Sequence, residues 1–214
     1  MTPSAENLES MAKYRAVAQH YDASTGPTWP IRLRCIELLQ LCEGETVLDV
    51  GCGTGLSFEP LAQGVGRNGR LLAFEQSLEM HAQAEARADG LHVLGWQVHL
   101  DNATAEQVRL PFEPDAVLFH YVHDISRNPQ AVANLFGQFR PGTRIAIAGM
   151  KFFPWPLAPL NLMAWLKNRP YNVRAHELHR PWSLIAPCLS GFSWQGTQWG
   201  MGYIGCGHVK ETGR

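Results

Sequence analysis

"VLDVGCGTG", Val47 to Gly55, is the stretch that decides the fold. A short apolar run carrying one aspartate, Asp49, meets glycines at 51, 53 and 55. An apolar run bounded by glycine reads as a buried strand. A strand, a glycine-rich turn and a helix build a ligand crevice at the strand's carboxyl end. The glycines allow a sharp turn and close ligand approach, and the free N–H groups of the following helix favour a negative group.

The dinucleotide pattern G-x-G-x-x-G does not fit, because the third glycine comes one residue early and Leu56 follows it. No Lys-Ser/Thr pair follows, so a Walker A loop is absent. Asp49 would repel a pyrophosphate and welcome a cation. A second acid, Glu75, stands 20 residues after Gly55 at the end of another apolar run, where a carboxylate can accept both hydroxyls of a ribose. The pocket therefore expects a ribose and a positive charge without a pyrophosphate. S-adenosylmethionine (SAM) joins an adenosine, a sulfonium and an amino-acid tail.

Outward from the glycines, strands alternate with helices. A helix is expected over 5–21, broken by "GPTWP", then another over Ile31–Cys42 with Ile31, Cys35, Leu38, Leu39 and Cys42 inward. Strand one is Thr46–Val50, followed by a helix over Leu56–Gln63 and strand two over Leu71–Glu75. Ser77 is the expected N-cap of a helix over Leu78–Ala88. Strands follow at Leu94–Leu100 and Pro114–His120, a helix at Pro129–Phe139 and a strand at Arg144–Met150. This alternation implies a doubly wound, mainly parallel α/β sheet. Beyond residue 150 Pro, Trp and Leu crowd the chain. A Pro-started helix is expected at Pro181–Leu189, and strands at Phe192–Trp199 and Met201–His208 form a hairpin around Gly200.

The chain of 214 residues reads as a single domain: helices over 1–42, a cofactor core over 43–150, a covering insertion over 151–180 and last elements over 181–214. Eighteen basic and 19 acidic residues nearly cancel, which argues against nucleic acid as a partner. The N-terminus, "MTPSAENLES", is polar and acidic, unlike a signal or transit peptide. No run approaches the roughly 18 apolar residues of a membrane helix. Five scattered cysteines without a CxxC pair fit a reduced, cytoplasmic setting.

"VLDVGCGTG" resembles the first motif of the class I SAM-dependent methyltransferases, of the small-molecule, ubiquinone-methylase type. The resemblance runs from about residue 10 to about residue 150 through "FEQS", "LDNATA", "PDAVLFHYVHDI" and "FRPGTRIAIAG". It implies a seven-stranded sheet whose last strand is antiparallel, an N-terminal helical lid, and an insertion between strands five and six. It also implies SAM as methyl donor, with S-adenosylhomocysteine (SAH) as product. By this resemblance Asp49, Gly51, Cys52 and Gly53 line the methionine end of the cofactor. Glu75 binds its ribose, and Gln76 and Met80 cover its adenine. Asp101, Asn102 and Ala103 read the adenine edge, although Asp101 also reads as a loop-capping residue. His120 lies under the sulfonium. "Y-D" at Tyr21 and Asp22 resembles the lid helix, with Tyr14 on the same face; core packing is the other reading of both tyrosines.

The residues after strand four face the reactive methyl in this family. "N-P-P-Y" and "D-P-P-Y" are absent there, against amino methylation of nucleobases or glutamine. "YVHDI" resembles the "H-D-W" segment of plant and polyketide O-methyltransferases, which makes His123 the candidate base, with Asp124 beside it and Tyr121 a further catalytic candidate. Ile125 replaces the tryptophan, and a packing role for His123 is the rival reading. No carboxylate cluster signals a metal. "HELH" is not a zinc pattern, although His176 falls in the substrate-covering region. There the apolar segment 152–173 reads as a lid, with Phe153, Trp155 and Met163 on the acceptor; a membrane-lying patch or a homodimer interface are its alternatives. The expectation is methyl transfer to O or N of a small, rather apolar acceptor. The rivals are a SAM-binding enzyme of rearrangement or cyclisation and a non-catalytic SAM-binding subunit.

Overall fold

The computed structural model describes residues 26–152, 161 and 178–211. Seven strands form one sheet: β1 (Thr46–Val50), β2 (Arg70–Phe74), β3 (Val98–Asp101), β4 (Ala116–His120), β5 (Arg144–Met150), β6 (Leu189–Thr197) and β7 (Gly202–Val209). Their order is β3-β2-β1-β4-β5-β7-β6. β1 to β5 pair in parallel. β7 runs antiparallel between β5 and β6, so the antiparallel last strand and the hairpin are both as expected. The order reverses between β2-β1 and β4-β5, and the crevice outside the strand ends at such a switch point is where α/β sheets bind ligands.

The helices bounded among the described residues are α1 (Trp29–Glu37), α2 (Phe58–Val65), α3 (Leu78–Val93), the single turn α4 (His123–Ser126) and α5 (Pro129–Phe136). Side chains alternate faces along a strand, and both sheet faces are covered, so β1 and β4 are buried throughout. Val47, Leu71, Ala116 and Leu118 pack with Cys35 of α1, Leu39 just beyond it, Phe58 and Leu61 of α2, and Ala84 and Ala88 of α3. Leu48, Val50, Leu72, Val117 and Phe119 face the other way, against Val132 and Leu135 of α5 and against Trp182 and Ile185.

Several elements depart from the sequence reading. α1 ends at Glu37, not Cys42, because Gln40 takes a left-handed φ of 47° and the Cys42 N–H turns to Glu45 Oε2 at 2.8 Å; Cys42 is exposed. α3 runs on to Val93, and β3 correspondingly begins only at Val98. The helix expected over Pro181–Leu189 is absent; the chain makes turns and a short 3₁₀ segment, Ala186–Cys188. Pro187 lacks an N–H and disfavours helical backbone at the residue before it. The helix expected over 5–21 lies outside the described residues.

Candidate active site

The turn after β1 opens a cleft of about 700 Å³, its solvent-filled mouth included. Gly51 makes the first bend at a φ of 57°, and a Cβ there would stand 2.8 Å from Ile125 Cδ1. Only glycine combines that dihedral with that approach. Expected residues that line the cleft are Asp49, Gly51, Cys52, Gly53, Glu75, Gln76, Met80, Ala103, His120 and Tyr121. They come from β1, β4, the loops after β1, β2, β3 and β4, and the first turn of α3, so the sheet order brings them together.

Asp49 is buried on the face of β1 that meets α1, and its Oδ2 has no hydrogen-bond partner. Burial pushes its carboxyl up to about 7; Arg32 and a hydrogen bond from Ser57 oppose this, and nearby Glu75 adds to it. Glu75 is fixed by the backbone: Oε2 accepts from the Gly53 N–H at 3.0 Å and Oε1 from the Ser77 N–H at 2.8 Å. Burial raises its carboxyl above the ordinary value, and those N–H groups pull it down. A carboxylate has about four acceptor sites, so Glu75 retains capacity for a hydroxyl beside its backbone N–H partners. Ser77 caps α3 by accepting from the Met80 N–H at 3.4 Å. The cap thus sets Met80, whose side chain lines the cleft.

Arg32 was not among the expected site residues, yet it is buried and lines the cleft. Its guanidinium donates to the Ser57 hydroxyl. A signal existed in the sequence. Arg32, Cys35, Ile36 and Leu39 follow i, i+3, i+4, i+7, so one cation shares the inward stripe of the helix expected over Ile31–Cys42 with three apolar residues.

His123 does not line the cleft among the described residues. It is buried, its Nε2 accepts the Met150 N–H at 2.9 Å, and its ring packs on Gly149, where a Cβ would be 2.5 Å from Cε1. Burial first, and Arg127 second, lower its pKa to about 4. This is the geometry of a packing histidine that ties α4 to β5. Asp101 and Asn102 also lie off the cleft lining. The Asp101 carboxylate is 3.3 Å from the His99 ring. The Asn102 amide donates to the Glu75 carbonyl at 2.8 Å and so anchors the backbone that carries Glu75. Tyr121 holds a left-handed φ of 60° at the cleft rim, with its N–H on Ala148 O at 2.8 Å and its hydroxyl 3.5 Å from Gln198 Oε1. Tyr14, Tyr21, Phe153, Trp155, Met163 and His176 lie outside the described residues.

A family described as a methyltransferase domain matches residues 47–142. The chain is 29% identical over 116 residues to the 2-phytyl-1,4-naphtoquinone methyltransferase of Thermosynechococcus vestitus, across 52% of this chain and 49% of that protein. It is 28% identical over 165 residues to the aklanonic acid methyltransferase DauC of Streptomyces sp. strain C5, across 71% of this chain and 72% of that protein. The N-methyltransferase NodS of Bradyrhizobium japonicum, solved with SAH, superposes with a TM-score of 0.66 over 93% of this chain and 99% of that one at 14% identity, a likeness of fold. The chain spans about half the length, or less, of the first curated relatives it matches. The methyltransferase-domain match falls on the glycine turn and both carboxylates, and with this strand order around them the chain is similar to the class I, Rossmann-like SAM-dependent methyltransferases.

Proposed function

We propose that this protein transfers a methyl group from SAM to an oxygen or nitrogen of a small, rather apolar acceptor. The observation that carries the reading is the Asp49 oxygen, buried in the cleft without a partner. A buried carboxylate oxygen without a donor is costly, and a cationic amino-acid tail beside it supplies one. SAM, when bound, supplies a methyl group on positively charged sulfur. Asp49 and the backbone of Gly51 to Gly53 would hold its amino-acid end, Glu75 its ribose, and Gln76, Met80 and Ala103 its adenine. Leu56, Val122 and Ile125 give the cleft an apolar wall, which keeps water from the reacting centre. The names of two relatives, a phytyl-naphtoquinone and an aklanonic acid methyltransferase, support an apolar acceptor of modest size.

Calorimetry on the wild type and Glu75→Gln tests the reading. Replacing one carboxylate oxygen by an amide leaves a ribose hydroxyl facing a donor, which costs about 1–3 kcal/mol. SAH should bind the wild type, and the variant about tenfold or more weakly. Equal affinity in a folded variant, or no SAH binding by the wild type, refutes it.

A further inference from the structure

Among the described residues, the buried polar atoms without a partner that belong to the cleft are Asp49 Oδ2 and both ring nitrogens of His120. A cationic methyl donor accounts for the first and leaves the second open. The sheet order places the two apart. Glu75 follows β2, Asp49 lies in β1 and His120 ends β4, so the three stand side by side in that order across the strand ends. A donor with its ribose at Glu75 and its amino-acid end at Asp49 occupies the first two positions. His120 falls on the far flank, toward β5 and β7. A neutral imidazole carries one N–H donor and one acceptor nitrogen, and here neither ring nitrogen has a side-chain partner among the described residues.

We infer that His120 is a catalytic residue of this enzyme, meeting a hydroxyl of the acceptor and taking its proton. The inference rests on the proposed methyl transfer. His123 is excluded from this post by its bond to Met150 and its seat on Gly149. In the step, the acceptor oxygen bonds to the methyl carbon. The carbon–sulfur bond breaks with its electron pair on sulfur, and the O–H proton passes to the free His120 nitrogen. One positive charge leaves the sulfur and one appears on the imidazole, so the net charge of the cleft is unchanged.

That exchange matters because of what surrounds the ring. Arg32 of α1 faces it, His123 of α4 lies nearby, and Asp49, Glu75, Tyr121 and Asp124 share the cleft. Burial first, then Arg32, hold the ring neutral well below the usual histidine range. The hydroxyl proton of the acceptor passes to this neutral ring as the sulfonium charge disappears.

The test uses full-length protein with ¹³Cε1-labelled histidine, loaded with SAH, and 2-naphthol as the acceptor probe with naphthalene as control. One histidine signal, absent from both His120→Gln and His120→Asn, should shift with 2-naphthol and not with naphthalene. Both variants should keep SAH affinity within about threefold of wild type. With a phenol that the wild type methylates, kcat should fall about 10²–10⁴-fold, the range for loss of a general base. A His120 signal unmoved by millimolar 2-naphthol overturns the inference. So does a tenfold loss of SAH affinity in both folded variants, which would make His120 a ligand of the methyl donor. If the wild type itself fails to bind SAH, the proposed function fails instead.

Discussion

Asp49 links the cleft to pH through one buried carboxyl. Its folded value of about 7 lies above the ordinary 3.8, so the unliganded native state keeps its proton longer than the unfolded chain does. The stability from this group is therefore present at acid pH and is lost as pH rises from about 4 to about 7. Ligand binding has the opposite sign. A cation beside Asp49 favours the ionised form, so SAM affinity should rise about tenfold between pH 6 and pH 8, with release of a proton. Calorimetry in two buffers of different ionisation enthalpy counts that proton. Asp49→Asn should bind SAM weakly and with a flat pH profile; a wild type with flat affinity would detach Asp49 from the cation. Arg32 belongs to the same account, because it limits how far burial can raise the Asp49 carboxyl.

At the scale of elements, the turn between β2 and α3 does two jobs with adjacent residues. The Ser77 hydroxyl caps the helix, while its backbone N–H holds the Glu75 carboxylate. Ser77→Ala removes the first and keeps the second. It should cost about 1 kcal/mol and lower Tm by about 2–4 °C for a chain of this size, with SAH affinity little changed. Thermal unfolding and calorimetry on the same sample read both quantities. A large loss of affinity would mean that the cap, and not the N–H, positions Glu75. The single turn α4 shows a similar economy: His123 at its start bonds the Met150 N–H, and Val122 and Ile125 close over Gly51.

For the whole molecule, ligand binding to the native state alone raises stability by mass action, about 2.7 kcal/mol at a hundredfold excess over Kd. SAH should therefore raise Tm in proportion to the logarithm of its concentration, and EDTA should change neither Tm nor turnover. Strict dependence on added magnesium would contradict the second expectation; among the described residues no group of three His, Cys, Asp or Glu side chains gathers as metal ligands. Among them, too, no helix is long and apolar enough to cross a membrane. The sequence by itself determined the α/β alternation, the glycine turn and the two carboxylates. Each of these is local: a short apolar run along Val47 to Val50, glycines that tolerate positive φ, an acid at a strand end. Tertiary structure alone decided which polar residues share the cleft. Asp49, Glu75 and His120 stand at positions of the same parity on neighbouring strands, and Arg32 reaches them from a helix that packs on that face. His123, three residues from His120, is turned away by the left-handed backbone at Tyr121 and the start of α4. A motif read along the chain treats the two histidines as neighbours. Sheet parity, register and helix packing are properties of strands brought together, and they assign one histidine to the cleft and the other to the core.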